Sequence, residues 1–379
     1  MLPFREYHLI ALLEEYDKQH LPLDLFISHY FRERKALGSK DRGFIAENIY
    51  AMVRWRGLLD FLCEAPCTWE KRYTLFSTLV IGDYLTREDI PLHTRLSFPQ
   101  HLFDLIKVSH GEARASELCV ISNKAAPTAV RANALVTTRE ELFKMWEKKY
   151  DISLCVHSPL GIIFNKKINF FSLPEFQKGF FEVQDEGSQL LAQLIDVKPG
   201  QKVLDYCAGS GGKTLAFAPR MQNTGQIYLH DVRTHALQES RRRLKRSKIQ
   251  NAQIVLADDL AKLKKLKKNM QWVLVDAPCT GTGTMRRNPD MKWNMSEETL
   301  PRLLGLQRSI FEKALSFMHP EGCIVYATCS ILNEENQDQI AHFIKTYDLE
   351  LAQEPFQSFP SEGGMDGFFG AILKRKQKP

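Results

Sequence analysis

One stretch, WVLVDAPCTGTGTM at residues 272–285, constrains the fold more than any other part of the sequence. Its apolar, β-branched run ends in Asp276, and a Pro-Cys pair and a glycine-rich loop follow at once. This pattern predicts a buried parallel strand that delivers a carboxylate and the Cys279 thiol to the carboxyl edge of a sheet, where open α/β folds bind ligands. A second run, GCIVYATCS at 322–330, delivers Cys329 in the same way. We expect the two thiols and the carboxylate to form one site.

The surrounding residues 202–373 alternate between strand-like and helix-like patterns. Such alternation favours an α/β fold with a doubly wound, Rossmann-like parallel sheet. A late alternating run, GFFGAILKR at 367–375, is expected to form an edge strand. The parallel strands are predicted at KVLDYC (202–207), QIYLHD (226–231), QIVLAD (253–258), WVLVDA (272–277) and CIVYAT (323–328).

The N-terminal third of the chain predicts helices. Apolar residues recur at helical spacing through residues 4–120, which indicates an all-helical domain. After residue 124 the pattern changes, and a helix predicted at 137–150 is expected to have Thr137 or Thr138 as its cap. A small α+β module is therefore expected between the helical domain and the large sheet. The predicted domains are residues 1–123, 124–180 and 181–379.

Composition and charge narrow the class of protein. The 379 residues suffice for two or three domains, and no apolar run approaches the ~18 residues of a membrane helix. The eight cysteines lack a small-domain framework and the N-terminus lacks a signal-peptide pattern, so reduced thiols in the cytoplasm are expected. Cys63 and Cys67 have no second pair at zinc spacing, so no metal is expected. Residues 201–300 carry 18 basic against 9 acidic side chains, which favours a polyanionic partner over a merely solvated surface.

The stretch DYCAGSGGKT at 205–214 has glycines that let a backbone approach a ligand at a helix N-terminus. A Walker A loop is disfavoured because Cys207 occupies the position of its first glycine, and a dinucleotide fingerprint because Thr214 occupies that of its last. Asp231 follows about 20 residues later, where a carboxylate binds ribose hydroxyls. Asp258 is a candidate acceptor for an adenine amino group. These residues predict a nucleoside cofactor without a pyrophosphate, and S-adenosyl-L-methionine is the one expected.

The DAPC sequence at 276–279 has a thiol where amino-group methyltransferases usually carry an aromatic residue. Carbon 5 of a pyrimidine is a poor nucleophile, and addition of a thiolate to carbon 6 activates it, so a covalent cysteine suits this acceptor. Asp276 is a candidate to hydrogen-bond the ring nitrogen of the adduct. One thiol is enough for this scheme. The residues alone therefore leave the roles of Cys279 and Cys329 exchangeable.

Six stretches, mostly in the C-terminal half, carry the remaining signal: VQDEGSQ (183–189), DYCAGSGGK (205–213), DAPCTGTG (276–283), RRNPDMKW (286–293), YATCSILNEEN (326–336) and DGFF (366–369). In content and order they resemble the RNA cytosine-5 methyltransferases, the group that contains bacterial RsmB-type and eukaryotic NOP/NSUN-type enzymes. The first 120 residues resemble, less specifically, the NusB-like domain of RsmB-type enzymes, and residues 125–180 resemble the small RRM-like module of the family.

The resemblance implies roles for individual residues. In that family the Thr-Cys cysteine is the nucleophile and the Pro-Cys cysteine assists product release, which implies these roles for Cys329 and Cys279. Lys213 is implied near the reacting base, together with Asp276. Gly209 and Ser210 stand where the family's loop commonly has Ala-Pro, with length unchanged, so retained binding by a loop of altered stiffness is expected. The implied donor-binding residues are Cys207, Ala208, Gly209, Ser210, Gly211, Gly212, Lys213, Asp231, Asp258 and Asp276.

The implied function is methylation of carbon 5 of a cytosine in ribosomal RNA, with 16S RNA as the expected substrate and a monomer as the expected state. The target base must be unpaired or flipped out, because a stacked base hides carbon 6. Transfer RNA is an alternative substrate, and an idle RNA-binding assembly factor is an alternative function. Arg286, Arg287 and the basic run 241–248 are candidates for phosphate contacts, with a solvated surface as the alternative.

Overall fold

The computed structural model describes residues 2–19 and 21–376, and the chain divides into two compact units. The first comprises Met1–Ala125 and Thr284–Glu297, and the second comprises Ala126–Gly283 and Glu298–Pro379. The segment Thr284–Glu297 therefore packs with the N-terminal helices, although in sequence it follows the strand that ends at Asp276. Within the described residues, every helix is too short or too polar to cross a bilayer.

The first unit is helical, as the spacing of its apolar residues predicts. In its first helix Leu9, Leu12, Leu13 and Tyr16 are all buried. Residues three and four apart lie on the same face of a helix, so these side chains form one apolar stripe. The helices of this unit are Phe4–Tyr16, Leu23–Glu33, Ser39–Arg54, Arg56–Leu62, Trp69–Thr78, Gly82–Leu85, Leu92–Arg95, Gln100–His110, Glu112–Ser122 and Met291–Asn294.

Lys292 fixes the segment Thr284–Glu297 within this unit. Its ammonium group is buried and donates to the carbonyl oxygens of Arg54 and Ser97, at 2.6 and 2.7 Å, and to Oδ1 of Asn123 at 2.7 Å. A buried cation is tolerated when hydrogen bonds replace its lost water. The three acceptors come from different parts of the helical unit, so one side chain ties several of its elements to the segment.

The second unit begins with four short strands, β1 Thr128–Ala132, β2 Ile152–Leu154, β3 Gly161–Phe164 and β4 Phe181–Val183. They form an antiparallel sheet in the order β2-β3-β1-β4. A helix, Arg139–Trp146, crosses between β1 and β2. The Thr138 side chain caps it by accepting from the backbone N–H of Glu141 at 3.2 Å, which confirms the predicted cap. Trp146 packs edge to face on Phe181, with ring centroids 5.0 Å apart, and forms the core under the sheet.

The large sheet contains β5 Lys202–Asp205, β6 Gln226–His230, β7 Ala252–Val255, β8 Met270–Asp276, β9 Met318–Thr328, β10 Leu349–Leu351, β11 Phe356–Ser358 and β12 Phe368–Arg375. Its order is β10-β12-β9-β8-β5-β6-β7, and β11 also pairs with β12. Neighbouring strands from β5 to β9 run parallel, which confirms the Rossmann-like sheet. The five predicted parallel strands are all present.

The prediction that the 367–375 run forms an edge strand is wrong. β12 lies inside the sheet, antiparallel to β9 on one side and to β10 and β11 on the other. Its residues Phe368–Leu373 are buried without interruption. Strand partners come from distant parts of the chain, so the sequence of one strand does not say how many neighbours it has.

Helices cover both faces of the large sheet. Alternate strand residues point to opposite faces, so Val273 and Val275 enter one core whereas Leu274 enters the other. Burial on both faces explains why β8 is apolar throughout its second half. The helices of this unit are Arg139–Trp146, Pro174–Gln177, Glu186–Gln193, Gly212–Phe217, Thr234–Arg246, Leu260–Leu266, Thr299–Leu315 and Gln337–Tyr347, with 3-10 turns at Phe170–Ser172, Ala218–Met221, Thr282–Thr284 and Asn333–Glu335.

Candidate active site

The site lies where the strand order of the large sheet reverses. The chain runs from β5 outward to β6 and β7, and then returns to β8 on the other side of β5. Ligands of open α/β sheets bind in the crevice at the carboxyl ends of the strands that flank such a reversal. Asp205 is the last residue of β5 and Asp276 the last residue of β8. The Asp276 carboxylate predicted from the sequence therefore stands at this crevice, beside that of Asp205.

The two predicted cysteines meet at the same edge. β8 and β9 are adjacent and parallel, and Asp276 pairs with Ala327 in their register. The loops that follow these strands bring the sulfur atoms of Cys279 and Cys329 to 3.4 Å. Both are free thiols. A separation of this size corresponds to a hydrogen bond between thiols, and it lets both sulfur atoms reach one ligand ring.

The two thiols differ in acidity. The hydrogen bond with Cys279 lowers the pKa of Cys329 although burial opposes it, and the nearby Lys213 charge acts in the same direction as the hydrogen bond. The same hydrogen bond and burial raise the pKa of Cys279 well above its usual value. Cys279 thus remains a thiol that donates, whereas Cys329 is the sulfur that more readily becomes a thiolate. Because the thiolate is the nucleophilic form, this difference favours Cys329 for attack.

Lys213 and Asp276 form an ion pair beside the thiols. The Lys213 side chain is only 10% exposed and that of Asp276 is 34% exposed. Burial alone would lower the pKa of Lys213, but the charge and hydrogen bond of Asp276 raise it above its usual value. The ring of Phe368, from the DGFF stretch, lies 6.0 Å from the Lys213 ammonium. Lys213 is therefore held as a cation at the carboxyl end of β8.

A buried clamp holds the Cys279 loop, and the sequence reasoning missed it. Glu335 is fully buried, and its Oε1 accepts from the backbone N–H of Thr280 and from Nε2 of Gln307, both at 2.9 Å. Its Oε2 accepts from the Thr280 hydroxyl at 2.5 Å. Gln307 also donates to the Pro278 carbonyl oxygen at 3.1 Å. The residues on both sides of Cys279 are thus fixed by Glu335 and its neighbour Gln307.

The adjacent residue, Asn336, holds the Cys329 loop in a similar way. Oδ1 of Asn336 accepts from the Thr328 hydroxyl at 2.6 Å, and its Nδ2 donates to the carbonyl oxygen of Ser330 at 2.9 Å. Thr328 and Ser330 flank Cys329 directly. The polar run Asn-Glu-Glu-Asn at 333–336 directly after an apolar stretch was the signal that could have revealed both clamps.

The glycine loop forms the donor side of the site. Gly209 and Gly211 have φ values of +52° and +80°, a region that glycine enters without steric cost. The backbone N–H of Gly209 donates to Oδ2 of Asp231 at 2.8 Å. The Arg233 guanidinium donates to both oxygens of Asp231 at 3.0 Å and, although burial opposes it, lowers the pKa of that carboxyl. The loop is therefore ordered by the same carboxylate that the sequence assigned to a ribose.

The other residues near the glycine loop, Asp205 and the predicted donor residues Cys207, Ala208 and Asp258, differ in their surroundings. Asp205 is buried, and its Oδ2 accepts from the Thr214 hydroxyl at 2.7 Å. Cys207 and Ala208 lie within the loop, packed against the cores on the two faces of the sheet. Asp258 does not end a strand: β7 stops at Val255, and the exposed Asp258 lies in the turn that follows. Asp258 thus lies three residues beyond the end of its strand, whereas Asp231 directly follows the end of β6.

Two predicted phosphate contacts belong to another part of the molecule. Arg286 and Arg287 lie in Thr284–Glu297, the segment that packs with the helical unit. Arg286 is 1% exposed, and its carbonyl oxygen accepts from Nη2 of Arg54 at 2.8 Å. Its side chain is thus unlike an exposed phosphate contact. No cluster of His, Cys, Asp or Glu suited to a metal ion occurs in residues 2–19 and 21–376.

Comparison with known proteins identifies the family. Residues 192–374 match the family model described as 16S rRNA methyltransferase RsmB/F. A protein from Synechocystis sp., named probable ribosomal RNA small subunit methyltransferase B, is 31% identical over 77% of this chain and 70% of its own length. Ribosomal RNA small subunit methyltransferase B from Proteus mirabilis is 32% identical over 75% of this chain and 67% of its own length. The alignments thus span about two thirds of these relatives.

Solved structures agree in fold. The crystal structure of PH0851 superposes with a TM-score of 0.82 at 21% identity, covering 99% of both chains, which supports the fold alone. A methyltransferase homologue from Pyrococcus horikoshii superposes with a TM-score of 0.66 at 27% identity over 75% of this chain and 97% of its own. Given the sequence identity and coverage of its relatives, the chain belongs to the RsmB/F family of S-adenosylmethionine-dependent RNA methyltransferases.

Proposed function

We propose that this enzyme methylates carbon 5 of a cytosine in 16S ribosomal RNA through a covalent cysteine adduct. The observation that carries the proposal is the 3.4 Å separation of the Cys279 and Cys329 sulfur atoms beside the Lys213–Asp276 pair. The names of the curated relatives, ribosomal RNA small subunit methyltransferase B, support the choice of RNA.

The acceptor chemistry explains the need for a thiolate. Cys329 adds to carbon 6 and forms a C–S bond, while the π electrons between carbons 5 and 6 shift to carbon 5. Carbon 5 is then nucleophilic and would take the methyl group from a bound sulfonium donor, which would leave as a neutral thioether. When its proton leaves to solvent, the C–H electrons restore the double bond and Cys329 departs as a thiolate. The lowered pKa of Cys329 serves both its attack and its departure.

Cys279 assists release in this scheme. Its raised pKa keeps it protonated, so its S–H group can donate to the Cys329 sulfur as negative charge returns there. The clamps of Glu335 and Asn336 keep the two loops in the geometry that this donation requires. Asp276 retains a partly exposed carboxylate for a hydrogen bond to the edge of the base.

The donor side fits S-adenosyl-L-methionine, which supplies an electrophilic methyl group when bound. The cofactor would be held by the loop 207–213 with Asp231, Asp258 and Asp276. Oδ1 of Asp205 is buried and accepts no hydrogen bond within the described residues, which suits a site that a polar ligand completes. Arg233 occupies both oxygens of Asp231, so ribose binding to that carboxylate requires the guanidinium, which is 60% exposed, to move aside.

The outer modules are proposed to bind RNA, the helical unit in the manner of a NusB-like domain and the small sheet as an RRM-like module. Their predicted bounds, 1–123 and 124–180, remain a prediction, as does the catalytic domain at 181–379. The antiparallel order β2-β3-β1-β4 with a helix after β1 supports the second assignment. A monomer in the cytoplasm is the proposed working state.

The test uses cysteine variants with tritiated methyl donor and ribosomal RNA. Cys329→Ala should abolish both methylation and covalent adducts, whereas Cys279→Ala should accumulate an RNA adduct that survives denaturing electrophoresis. Cys323→Ala, which changes a cysteine inside β9, is the matched control and should behave as wild type. Turnover by Cys329→Ala, or the absence of an adduct with Cys279→Ala, would refute the assigned roles.

The site of methylation is read separately. Mapping 5-methylcytosine in 16S and transfer RNA from a deletion strain should show that one cytosine of 16S RNA is no longer methylated. Loss from transfer RNA alone would identify the alternative substrate. If the 5-methylcytosine map of both RNAs is unchanged in the deletion strain, and the purified protein still binds ribosomal RNA, the protein is an idle assembly factor.

A further inference from the structure

A groove beside the small sheet combines aromatic and basic side chains. Phe171 is 69% exposed, and its ring meets the buried Phe176 edge to face at 5.1 Å. The end of the helix Thr234–Arg246 and the turn after it form the opposite wall. We call this depression the Phe171 groove. Its defining residues are Phe171, Phe176, Lys178, Phe180, Lys245 and Lys248.

The walls of the groove are fixed by a buried carboxylate. Glu182, on β4, accepts from Arg246 at 2.5 Å, from Arg243 at 3.0 Å and from the Ser247 hydroxyl at 3.1 Å. The Arg246 guanidinium lies over the Phe176 ring at 4.0 Å. Gly179 has a φ of +77°, and a Cβ there would lie 2.0 Å from the Arg246 carbonyl oxygen, so the turn is pressed against the end of the helix. The groove is therefore preformed.

The positive charge of the Phe171 groove favours an anionic ligand. Lys178, Lys245 and Lys248 are exposed, and in the described part of the chain they form no ion pair. Glu182 is neutralised by two arginines, so it does not offset these charges. Exposed lysines beside an exposed aromatic ring match single-stranded nucleic acid, whose phosphates bind cations while its bases stack on rings. A duplex offers phosphates but no free base face.

One helix links the groove to the donor side of the active site. Nη1 of Arg243 donates to the carbonyl oxygen and the hydroxyl of Ser210, at 3.1 and 2.7 Å. Ser210 belongs to the glycine loop, so one helix contacts that loop and lines the groove. A nucleic-acid strand that lies in the groove is thus bound by the same compact unit of the chain that contains the glycine loop.

We infer that the Phe171 groove binds unpaired nucleotides that flank the target in the RNA substrate. A base stacks on Phe171, and Lys178, Lys245 and Lys248 hold the adjoining phosphates. The inference rests on the proposed function only in taking RNA as the ligand. It requires neither thiol, so a binding measurement without methyl donor separates its failure from that of the proposed chemistry.

The probe is a fluorescein-labelled single-stranded oligocytidylate, with an RNA duplex of equal length for comparison, titrated with the full chain by anisotropy. Phe171→Ala should weaken single-strand binding by about tenfold, the usual effect of losing one stacked base. Phe171→Trp should restore it, because indole stacks as well. Neither change should affect the weaker binding of the duplex.

A charge variant gives an independent readout. Lys245→Ala with Lys248→Ala should reduce the slope of log affinity against log salt by about 1.4, since each single-strand phosphate contact contributes about 0.7. Lys313→Ala with Lys345→Ala is the matched control, because it removes two exposed lysines from helices on the opposite face of the sheet. That control should leave the slope unchanged.

Several outcomes would overturn the inference. They are binding of the single strand no tighter than the duplex, affinity of Phe171→Ala within twofold of wild type, or equal loss of slope in both lysine pairs. Should Phe171→Ala fail to fold, the lysine pairs still decide, because all four side chains are exposed. If the groove variants lose binding while the cysteine variants contradict the adduct, the groove stands and the proposed chemistry does not.

Discussion

Replacing Cys279 should change the acidity of Cys329. In the structure the two sulfur atoms lie 3.4 Å apart, and the S–H group of Cys279 is the leading cause of the lowered Cys329 pKa. Cys279→Ala removes this donor and leaves the Lys213–Asp276 pair in place. The thiolate of Cys329 then loses one stabilising contact, so its pKa should rise.

The size of the rise follows from the strength of that contact. A hydrogen bond to a charged group contributes about 1.5–3 kcal/mol, and a thiol is a weak donor, so the lower end applies. One pKa unit corresponds to about 1.4 kcal/mol. We therefore expect the Cys329 pKa to rise by about one unit in Cys279→Ala. Cys279→Ser keeps a hydroxyl donor at the same position and should recover most of the shift.

The assay is alkylation of the reduced protein by iodoacetamide across the neutral and mildly alkaline range, with occupancy of each cysteine read by mass spectrometry. The thiolate is the reacting form, so the midpoint of the rate against pH reports the pKa. In wild type Cys329 should react before Cys279. Cys323→Ala is the control and should leave the midpoint unmoved. An unchanged midpoint in Cys279→Ala, or faster alkylation of Cys279 in wild type, would refute the reasoning.

Three further predictions concern buried polar groups. Glu335→Ala should lower the free energy of unfolding in urea by about 2–4 kcal/mol because two buried N–H donors lose their acceptor, and Glu335→Gln, which keeps one acceptor, should cost less than half of that. Lys292→Met should destabilise the protein by at least about 3 kcal/mol, since three buried acceptors lose their donor, while Lys40→Met, at an exposed site, should have no effect. Burial raises the pKa of Asp205 to about 7, above the value of about 4 expected in the unfolded chain, so its contribution to stability is complete below about pH 4 and is lost as pH rises from there to about 7. Asp205→Asn should therefore gain stability relative to wild type between pH 4 and pH 8, and an equal difference at these two pH values would contradict this.

The sequence by itself determined the five parallel strands of the large sheet and most of the residues at their ends. Runs such as WVLVD are apolar throughout because both faces of the strand are buried, and that property is local enough to be read from consecutive residues. Parallel strands share a carboxyl edge, so Asp276, Cys279 and Cys329 were expected together, and the structure brings the two sulfur atoms to 3.4 Å beside the Lys213–Asp276 pair. The Thr138 cap also follows from a local pattern.

Only the tertiary structure decided the features that depend on distant residues. β12 lies inside the sheet because β10 and β11 return to pair with it. The clamp on Cys279 joins Glu335 to Thr280 across 55 positions, and Lys292 joins its segment to Ser97 across 195. The pKa difference between Cys279 and Cys329 also depends on a contact between distant residues, since the two sulfur atoms meet across 50 positions of the sequence. Strand ends and caps are set by neighbours in sequence, whereas these contacts form only once folding has brought separate loops together.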